Sequence, residues 1–141
     1  PVDADELPLV DSAASYVLKK LTWANLKATL QDIFVPISLT INDQTGTTYT
    51  LVLTDAGKLI SANNAAAITL TVPPNSSVAF PVGTSVSVQQ QGAGQVSIAA
   101  GAGVTINSRS SMSKISARYG GVSLVKTASP DTWWLEGALS A

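Results

Sequence analysis

Two Gly-Ala-Gly triplets, Gly92–Gly94 and Gly101–Gly103, are the pattern in this sequence closest to a phosphate-binding loop. A phosphate loop works because a helix N-terminus follows it and directs backbone N–H groups at the anion. Here each triplet is followed by alternating polar and apolar residues rich in β-branched side chains, which are typical of a half-buried strand. We therefore predict that both triplets are turns between strands, where glycine tolerates a positive φ.

Acid–base and metal chemistry have few side chains available. The 141 residues include no histidine and no cysteine, which excludes imidazole and thiolate catalysis, disulfides and the usual zinc ligands. After residue 36 the carboxylates are Asp43, Asp55, Asp131 and Glu136. A glycan hydrolase needs two carboxyl groups facing each other across a sugar, and a pair such as Asp55 with Glu136 stays open as an alternative. We expect no enzymatic activity, no cofactor and no metal site.

Aromatic side chains are the remaining candidates for a binding role. Trp133 and Trp134 are adjacent on one predicted strand and must point to opposite faces. Trp133 shares its face with Leu135 and is predicted to be in the core, which leaves Trp134 for a ligand or an interface. Tyr119, beside a glycine pair, is the second such candidate. A subunit contact is favoured, because large aromatics are enriched at interfaces, and a platform under a sugar ring is the alternative.

The overall charge limits the partners. The net charge is −1 and only 12% of the residues are charged, so there is no basic surface for the phosphates of nucleic acid or for an anionic membrane. No apolar run approaches the roughly 18 residues that a bilayer span needs. We expect no nucleic-acid partner and no membrane insertion.

The predicted secondary structure that positions the candidate residues changes near Pro36, from a connector with a short helix to a β region. Residues 1–36 are predicted to form a connector with two short extended pieces, Leu7–Asp11 and Tyr16–Leu21, and then a short helix over about 23–34. Its apolar side chains recur at helical spacing. They are Trp23, Leu26, Leu30, Ile33 and Phe34. A helix of about three turns is not stable alone, so either the β region or copies in neighbouring chains cover this stripe. Neighbouring chains are favoured, which makes Trp23, Leu26, Leu30 and Ile33 the predicted oligomer interface.

Residues 37–141 have a period of two, which predicts a mainly β domain. The candidate strands are 37–41, 48–54, 58–62, 68–72, 77–80, 85–90, 95–99, 104–107, 114–119, 122–127 and 132–136. Many short strands at spacings near ten residues favour an antiparallel β-sandwich or a barrel-like module. Much of the strand surface is Ser, Thr, Gln and Asn, which can be buried between subunits without the desolvation cost of ions.

Segments along nearly the whole chain resemble, in order, the C-terminal portion of tailed-bacteriophage tail-fibre and related virion structural proteins. The segments are Asp5–Asp11, Leu18–Lys27, Tyr49–Leu51, Asp55–Ile60, Val72–Pro73, Pro81–Thr84, Gly92–Gln95, Gly101–Val104 and Thr132–Trp133. In such proteins a segment similar to Lys19-Lys20-Leu21-Thr22-Trp23 connects modules, and the β module after it ends a trimeric fibre or appendage.

The resemblance implies a homotrimer on a virion, in contact with other virion proteins and with a role in attachment to the host surface, where a glycan is a possible partner. It supplies no catalytic residues. A capsid-decorating or head-fibre module and a carbohydrate-binding module remain alternatives, as does the glycan hydrolase considered above.

Overall fold

The computed structural model describes residues 6–11, 17–22 and 38–141. The chain divides into two units, Pro1–Ser38 and Leu39–Ala141. In the first unit, the described residues form β1 (Glu6–Asp11) and β2 (Val17–Thr22), an antiparallel pair in which Glu6 lies opposite Thr22. The two extended pieces predicted near the N-terminus therefore form strands.

The helix predicted over residues 23–34 lies outside the described residues. The four proposed interface residues, Trp23, Leu26, Leu30 and Ile33, lie there too. The helix and its interface stay predictions.

The second unit is mainly β, as predicted. Its strands are β3 (Ile41–Gln44), β4 (Thr48–Thr50), β5 (Leu59–Ala62), β6 (Ile68–Val72), β7 (Ser85–Gln90), β8 (Val96–Ala100), β9 (Thr105–Ser108), β10 (Lys114–Ile115), β11 (Gly121–Lys126), β12 (Thr132–Gly137) and β13 (Leu139–Ser140). They form a six-stranded sheet in the order β3-β5-β7-β11-β12-β9 and a five-stranded sheet in the order β13-β10-β8-β6-β4.

Both sheets are mixed, which corrects the expectation of purely antiparallel sheets. From β3 to β8 the chain crosses to the other sheet after every strand, so β3, β5 and β7 run parallel, as do β4, β6 and β8. β11 pairs antiparallel with β7 and β12, and β10 pairs antiparallel with β8 and β13. Short strands separated by turns have the same sequence pattern whether the chain turns back within one sheet or crosses to the other.

The apolar core lies between the two sheets, because alternate residues of each strand point inward. The six-stranded sheet contributes Ile60, Val86, Val88, Leu124, Trp133 and Leu135, and the five-stranded sheet contributes Ile68, Leu70, Val72, Val96, Ile98 and Ile115. The ring of Phe80 meets Trp133 edge to face, with 5.3 Å between their centroids. Trp133 is fully buried, as predicted from its position on the strand.

The first glycine triplet belongs to a stack of crossings between the sheets. Its Gly94 N–H donates to the Asn64 carbonyl at 2.9 Å, so the β7–β8 crossing lies directly on the β5–β6 crossing. A Cβ on Gly94 would lie 1.8 Å from the carbonyl oxygen of Ala66. The triplet is a turn, as predicted, but close backbone approach rather than positive φ requires Gly94.

The second triplet is a turn that contains a glycine with positive φ, as predicted. Gly103 has φ 79°, and the Val104 N–H donates to the Gly101 carbonyl at 3.0 Å, which closes a turn between β8 and β9. Neither triplet precedes a helix in the described structure.

Four predicted strands differ from the observed ones. Strand β3 begins where residues 37–41 were predicted to end, and of the predicted strand 48–54 only β4 forms, followed by a short 3₁₀ helix at Leu53–Asp55. Residues 77–80 lie in a turn where the Ser77 and Val78 N–H groups donate to the Pro74 carbonyl, and β10 stops at Ile115. Asn42 and Asp43 fall between the predicted strands 37–41 and 48–54, and both residue types have an intrinsic preference for turns. The amide of Asn42 instead reaches a buried carboxylate, a long-range contact that outweighs the preference.

Candidate functional site

A groove in residues 38–141 lies where β9 and the loop after it meet β12 and β13. It is lined chiefly by Asn107, Arg109, Met112, Trp134, Glu136 and Leu139, and its volume is about 560 Å³. β9 pairs in parallel with β12, which places Asn107 opposite Trp134 on adjacent strands. The groove thus combines an indole with an amide, a guanidinium and a carboxylate, a mixture of apolar and directional polar groups that is typical of small-ligand sites.

Trp134 lies on the exposed face of β12, as the sequence predicted. Its side chain is 53% exposed, whereas its neighbours Trp133 and Leu135 are buried. Alternation along the strand produces this difference. An indole that lines a groove without filling it leaves apolar surface available for a partner.

The loop that forms one wall of this groove is strained. Ser110 and Ser111 have φ of 52° and 55°, the left-handed region that non-glycine residues rarely adopt. Two consecutive residues in this region cost free energy that the surrounding structure must supply, and such strain clusters at functional sites. Residues 108–113 fall between the predicted strands 104–107 and 114–119, and the sequence gives no sign of this conformation.

Tyr119, the other aromatic candidate, lies outside the groove lining. Its side chain is 62% exposed, its φ is 65°, and the guanidinium of Arg118 lies 4.8 Å from its ring centroid. Its backbone N–H donates to the Gln90 carbonyl at 2.7 Å. The structure does not bring Tyr119 and Trp134 together in one groove, so they are separate candidates.

The buried carboxylate of Asp55 is held by three hydrogen bonds. Oδ1 accepts from the Asn42 amide at 2.8 Å, and Oδ2 accepts from the Tyr49 hydroxyl at 2.8 Å and from the Val52 N–H at 2.9 Å. Gln44 in turn donates to the Asn42 side-chain oxygen at 2.7 Å. These bonds compensate the cost of burying the charge and leave Asp55 in a structural role.

Tyr49 is part of this same network. Burial, together with the hydrogen bond that its hydroxyl donates to Asp55, raises the pKa of Tyr49 above its ordinary value. Both effects favour the protonated phenol, because a phenolate there would be poorly hydrated and would face a carboxylate.

The buried ammonium of Lys126 is also held by specific partners. Its Nζ donates to the Asn75 side-chain oxygen at 3.1 Å and to the Pro130 carbonyl, and it lies 5.4 Å from the centroid of the Trp133 ring. Asp131 accepts from the Asn75 N–H at 2.6 Å. Asn75, Lys126 and Asp131 thereby tie together the loops before β7 and before β12.

Within residues 38–141 and the two N-terminal strands, no three His, Cys, Asp or Glu side chains lie close enough together to hold a metal ion. The helical segments of this part of the chain do not reach the length and hydropathy of a membrane span.

Comparison with known proteins adds no assignment. None of the protein-family models matches the sequence, and a search of the curated proteins finds no match. The resemblance to tail-fibre proteins therefore stays a prediction from the sequence.

Sequence reasoning found Trp134 but missed the residues around it. Asn107, Arg109 and Met112 join Trp134 in the groove through the parallel pairing of β9 with β12, which pairs residues 27 positions apart, as in Asn107 with Trp134. Such a pairing leaves no local pattern in the sequence. Glu136 was considered only as half of a catalytic pair with Asp55. The outward position of Trp134 was the only signal that pointed to this groove.

Proposed function

We propose that this chain is a non-enzymatic virion structural protein, a module of a trimeric tail fibre or appendage that takes part in attachment to the host surface. The virion setting derives from the sequence resemblance. The observation that carries the self-assembling, structural part of the proposal is the uncharged outer face of the central strands β5, β7 and β11 of the six-stranded sheet.

The outer face of these three strands carries mainly small polar side chains beside Leu59. Leu59, Ser87 and Ser123 lie opposite one another on the three strands, and the hydroxyls of Ser85 and Ser123 lie 3.3 Å apart. The face has a depression of about 470 Å³, in whose lining Glu136 of the neighbouring β12 is the charged residue. Serine and glutamine side chains can be covered by another copy of the chain without desolvating ions, so this face suits a subunit contact.

Two of the four carboxylates of the β unit support the non-enzymatic part of the proposal. Asp55 is buried and held by three hydrogen bonds, and Asp131 accepts a backbone N–H from another loop. A glycan hydrolase would need two carboxyl groups free to face a sugar, whereas these two are engaged within the fold.

The molar mass of the purified chain by light scattering tests assembly, and a trimer at micromolar concentration is expected. Leu30→Asp should lower the mass to that of the monomer, because the added charge must be desolvated in the interface. Gln31→Asp adds the same charge on the polar side of the predicted helix and should leave the trimer intact. A monomeric parent chain, or equal effects of the two substitutions, would contradict the proposal.

A second pair of variants tests the sheet face. Ser87→Lys places a cation on the outer face of the six-stranded sheet and should weaken the trimer, whereas Thr69→Lys places one on the exposed outer face of the five-stranded sheet and should not. Dissociation by Thr69→Lys alone would move the interface to the other sheet.

A carbohydrate-binding module is the second candidate function. The exposed Trp134 in its mixed apolar and polar groove favours it. A monomer that binds a glycan would establish this alternative over the trimeric virion protein.

A further inference from the structure

The groove around Trp134 has the chemistry of a site for a sugar ring. One face of a pyranose presents C–H groups and its edges present hydroxyls, so a matching site needs an apolar plate flanked by hydrogen-bonding groups. Trp134 supplies a half-exposed indole. Asn107, Arg109 and Glu136 add an amide, five guanidinium N–H donors and a carboxylate acceptor around the same groove.

The charges of the groove select among sugars. Arg109 and Glu136 are the charged residues in its lining, so their formal charges cancel. An anionic sugar would meet the carboxylate of Glu136 as well as the guanidinium of Arg109, and like charges brought together in a partly desolvated groove oppose binding. The guanidinium of Arg109 only donates hydrogen bonds and the carboxylate of Glu136 only accepts them, and the hydroxyls of a neutral sugar can bond to both.

The size and construction of the groove also fit this ligand. Its volume of about 560 Å³ lies within the range of small-ligand sites, roughly 300–1,000 Å³. One wall rests on the paired strands β9 and β12, and the other includes the loop with the consecutive left-handed residues Ser110 and Ser111. The strained loop is an independent indication, because backbone strain of this kind is concentrated at ligand clamps.

We propose that the groove formed by Asn107, Arg109, Met112, Trp134, Glu136 and Leu139 binds a neutral saccharide, with one pyranose ring stacked on the indole of Trp134. This inference rests on the proposed attachment function and names the chemical class of its ligand. The ring stacks its C–H face on Trp134, and its hydroxyls donate to Glu136 and accept from Arg109 and Asn107.

An array of immobilised oligosaccharides tests the class of ligand. The probes are neutral hexose and N-acetylhexosamine oligomers beside uronic-acid, sialylated and phosphorylated glycans. The full-length chain should bind one or more neutral glycans and should bind them better than anionic ones. Absence of binding to every neutral glycan, or binding to anionic glycans alone, would overturn the proposal.

Variants then locate the site with the best neutral glycan in a solution titration. Trp134→Ala should lower affinity at least about tenfold, as loss of a central aromatic contact does, without a change in melting temperature, since the side chain is half exposed. Tyr119→Asn is the matched control, because it removes an exposed aromatic outside the groove and asparagine tolerates a positive φ. It should leave affinity unchanged.

Asn107→Ala provides a second probe of the site if Trp134→Ala lowers the melting temperature. It should weaken binding at least threefold, or about 0.6 kcal/mol, while the fold is retained. Glycan binding that survives both substitutions would place the site elsewhere and contradict the proposal.

The molar mass measured on the same samples separates this inference from the proposed function. Glycan binding by a monomer would support the groove and contradict the trimeric module. A trimer that binds no neutral glycan would support the trimeric module and contradict the glycan site in the groove.

Discussion

Two regions of the molecule use polar groups in opposite ways. In the first, residues 39–100, the chain crosses between the two sheets after every strand, and we call it the coiled part. The second consists of the groove walls, residues 105–112 and 132–139. In the coiled part, the carboxylate of Asp55 is buried and accepts hydrogen bonds from Asn42, Tyr49 and Val52. In the groove walls, Arg109, Trp134 and Glu136 are exposed, and the backbone at Ser110 is strained. Polar groups committed to the fold stabilise it, whereas exposed groups on a strained frame remain available to a partner.

In the coiled part, the backbones of successive crossings lie in close contact. Gly94→Ala tests that contact, and we expect it to lower the free energy of unfolding more than any other substitution discussed below. The new Cβ would lie 1.8 Å from the Ala66 carbonyl oxygen and 2.3 Å from its carbon, so the backbone must shift. We expect a loss of more than about 4 kcal/mol in the free energy of unfolding, or failure to fold. Denaturant unfolding monitored by circular dichroism measures it.

Gly46→Ala is the matched control, because Gly46 lies in the preceding crossing between β3 and β4. There the nearest atom to a new Cβ is the Thr48 carbonyl oxygen at 3.4 Å, an ordinary contact. The free energy of unfolding should change by less than about 1 kcal/mol in either direction. If Gly94→Ala is equally mild, the stacked crossings are not tightly packed.

Asp55→Ala tests the saturated polar network and should have the second largest effect. It removes the acceptor of three hydrogen bonds and leaves the Asn42 amide, the Tyr49 hydroxyl and the Val52 N–H without that partner. We expect a loss of about 3 kcal/mol in the free energy of unfolding. Asp43→Ala, at an exposed position of β3, should cost less than about 0.5 kcal/mol. Equal effects would show that the network adds no stability.

The sequence predicted the parts of the fold that depend on local pattern. Alternation placed Trp133 inside and Trp134 outside, and the glycine triplet located the turn at Gly101–Gly103, where the Val104 N–H donates to the Gly101 carbonyl at 3.0 Å. Local pattern could not give the parallel pairing, because the direction in which a strand joins its sheet depends on where the previous crossing ends. Contacts between residues far apart in the chain decide that.

The candidate site was predictable only in part for the same reason. Trp134 was accessible to sequence reasoning through strand alternation. Its neighbours Asn107 and Arg109 come from β9 and the loop after it, and β9 joins the edge of the sheet beyond β12. The local sequence pattern gives no sign of that strand order. The strain at Ser110 was not accessible either, since serine has no preference for the left-handed region.

Tyr49→Phe tests one hydrogen bond of the buried network and should have the third largest effect on the free energy of unfolding. Loss of the hydroxyl removes one of the two hydrogen bonds to Asp55 Oδ2 and should cost about 1 kcal/mol in the free energy of unfolding at neutral pH. The raised pKa of Tyr49 adds a dependence on pH. Between its unfolded and folded pKa values the native state binds more protons, so stability falls as pH rises through this window.

The pH dependence follows from the difference between the parent chain and Tyr49→Phe. The contribution of the phenol should be fully present below about pH 10, the ordinary pKa of tyrosine, and should be lost as pH rises through the folded value. Denaturant unfolding of both proteins from pH 7 to pH 11 measures it, and other titrating groups cancel in the comparison. A difference that stays constant with pH would mean that the pKa of Tyr49 is not raised.

Ser110→Gly tests the strained wall of the groove with the smallest expected effect. Glycine adopts a φ of 52° without the steric cost that serine bears, so the melting point should rise with a gain of roughly 0.5–1 kcal/mol. Ser113→Gly is the control in the same loop, and because Ser113 has no positive φ it should lose stability. If the two substitutions are equally destabilising, the loop is not strained. Ser110→Gly should also keep its affinity for a neutral glycan, because the conformation of the loop, rather than the serine hydroxyl, shapes the groove.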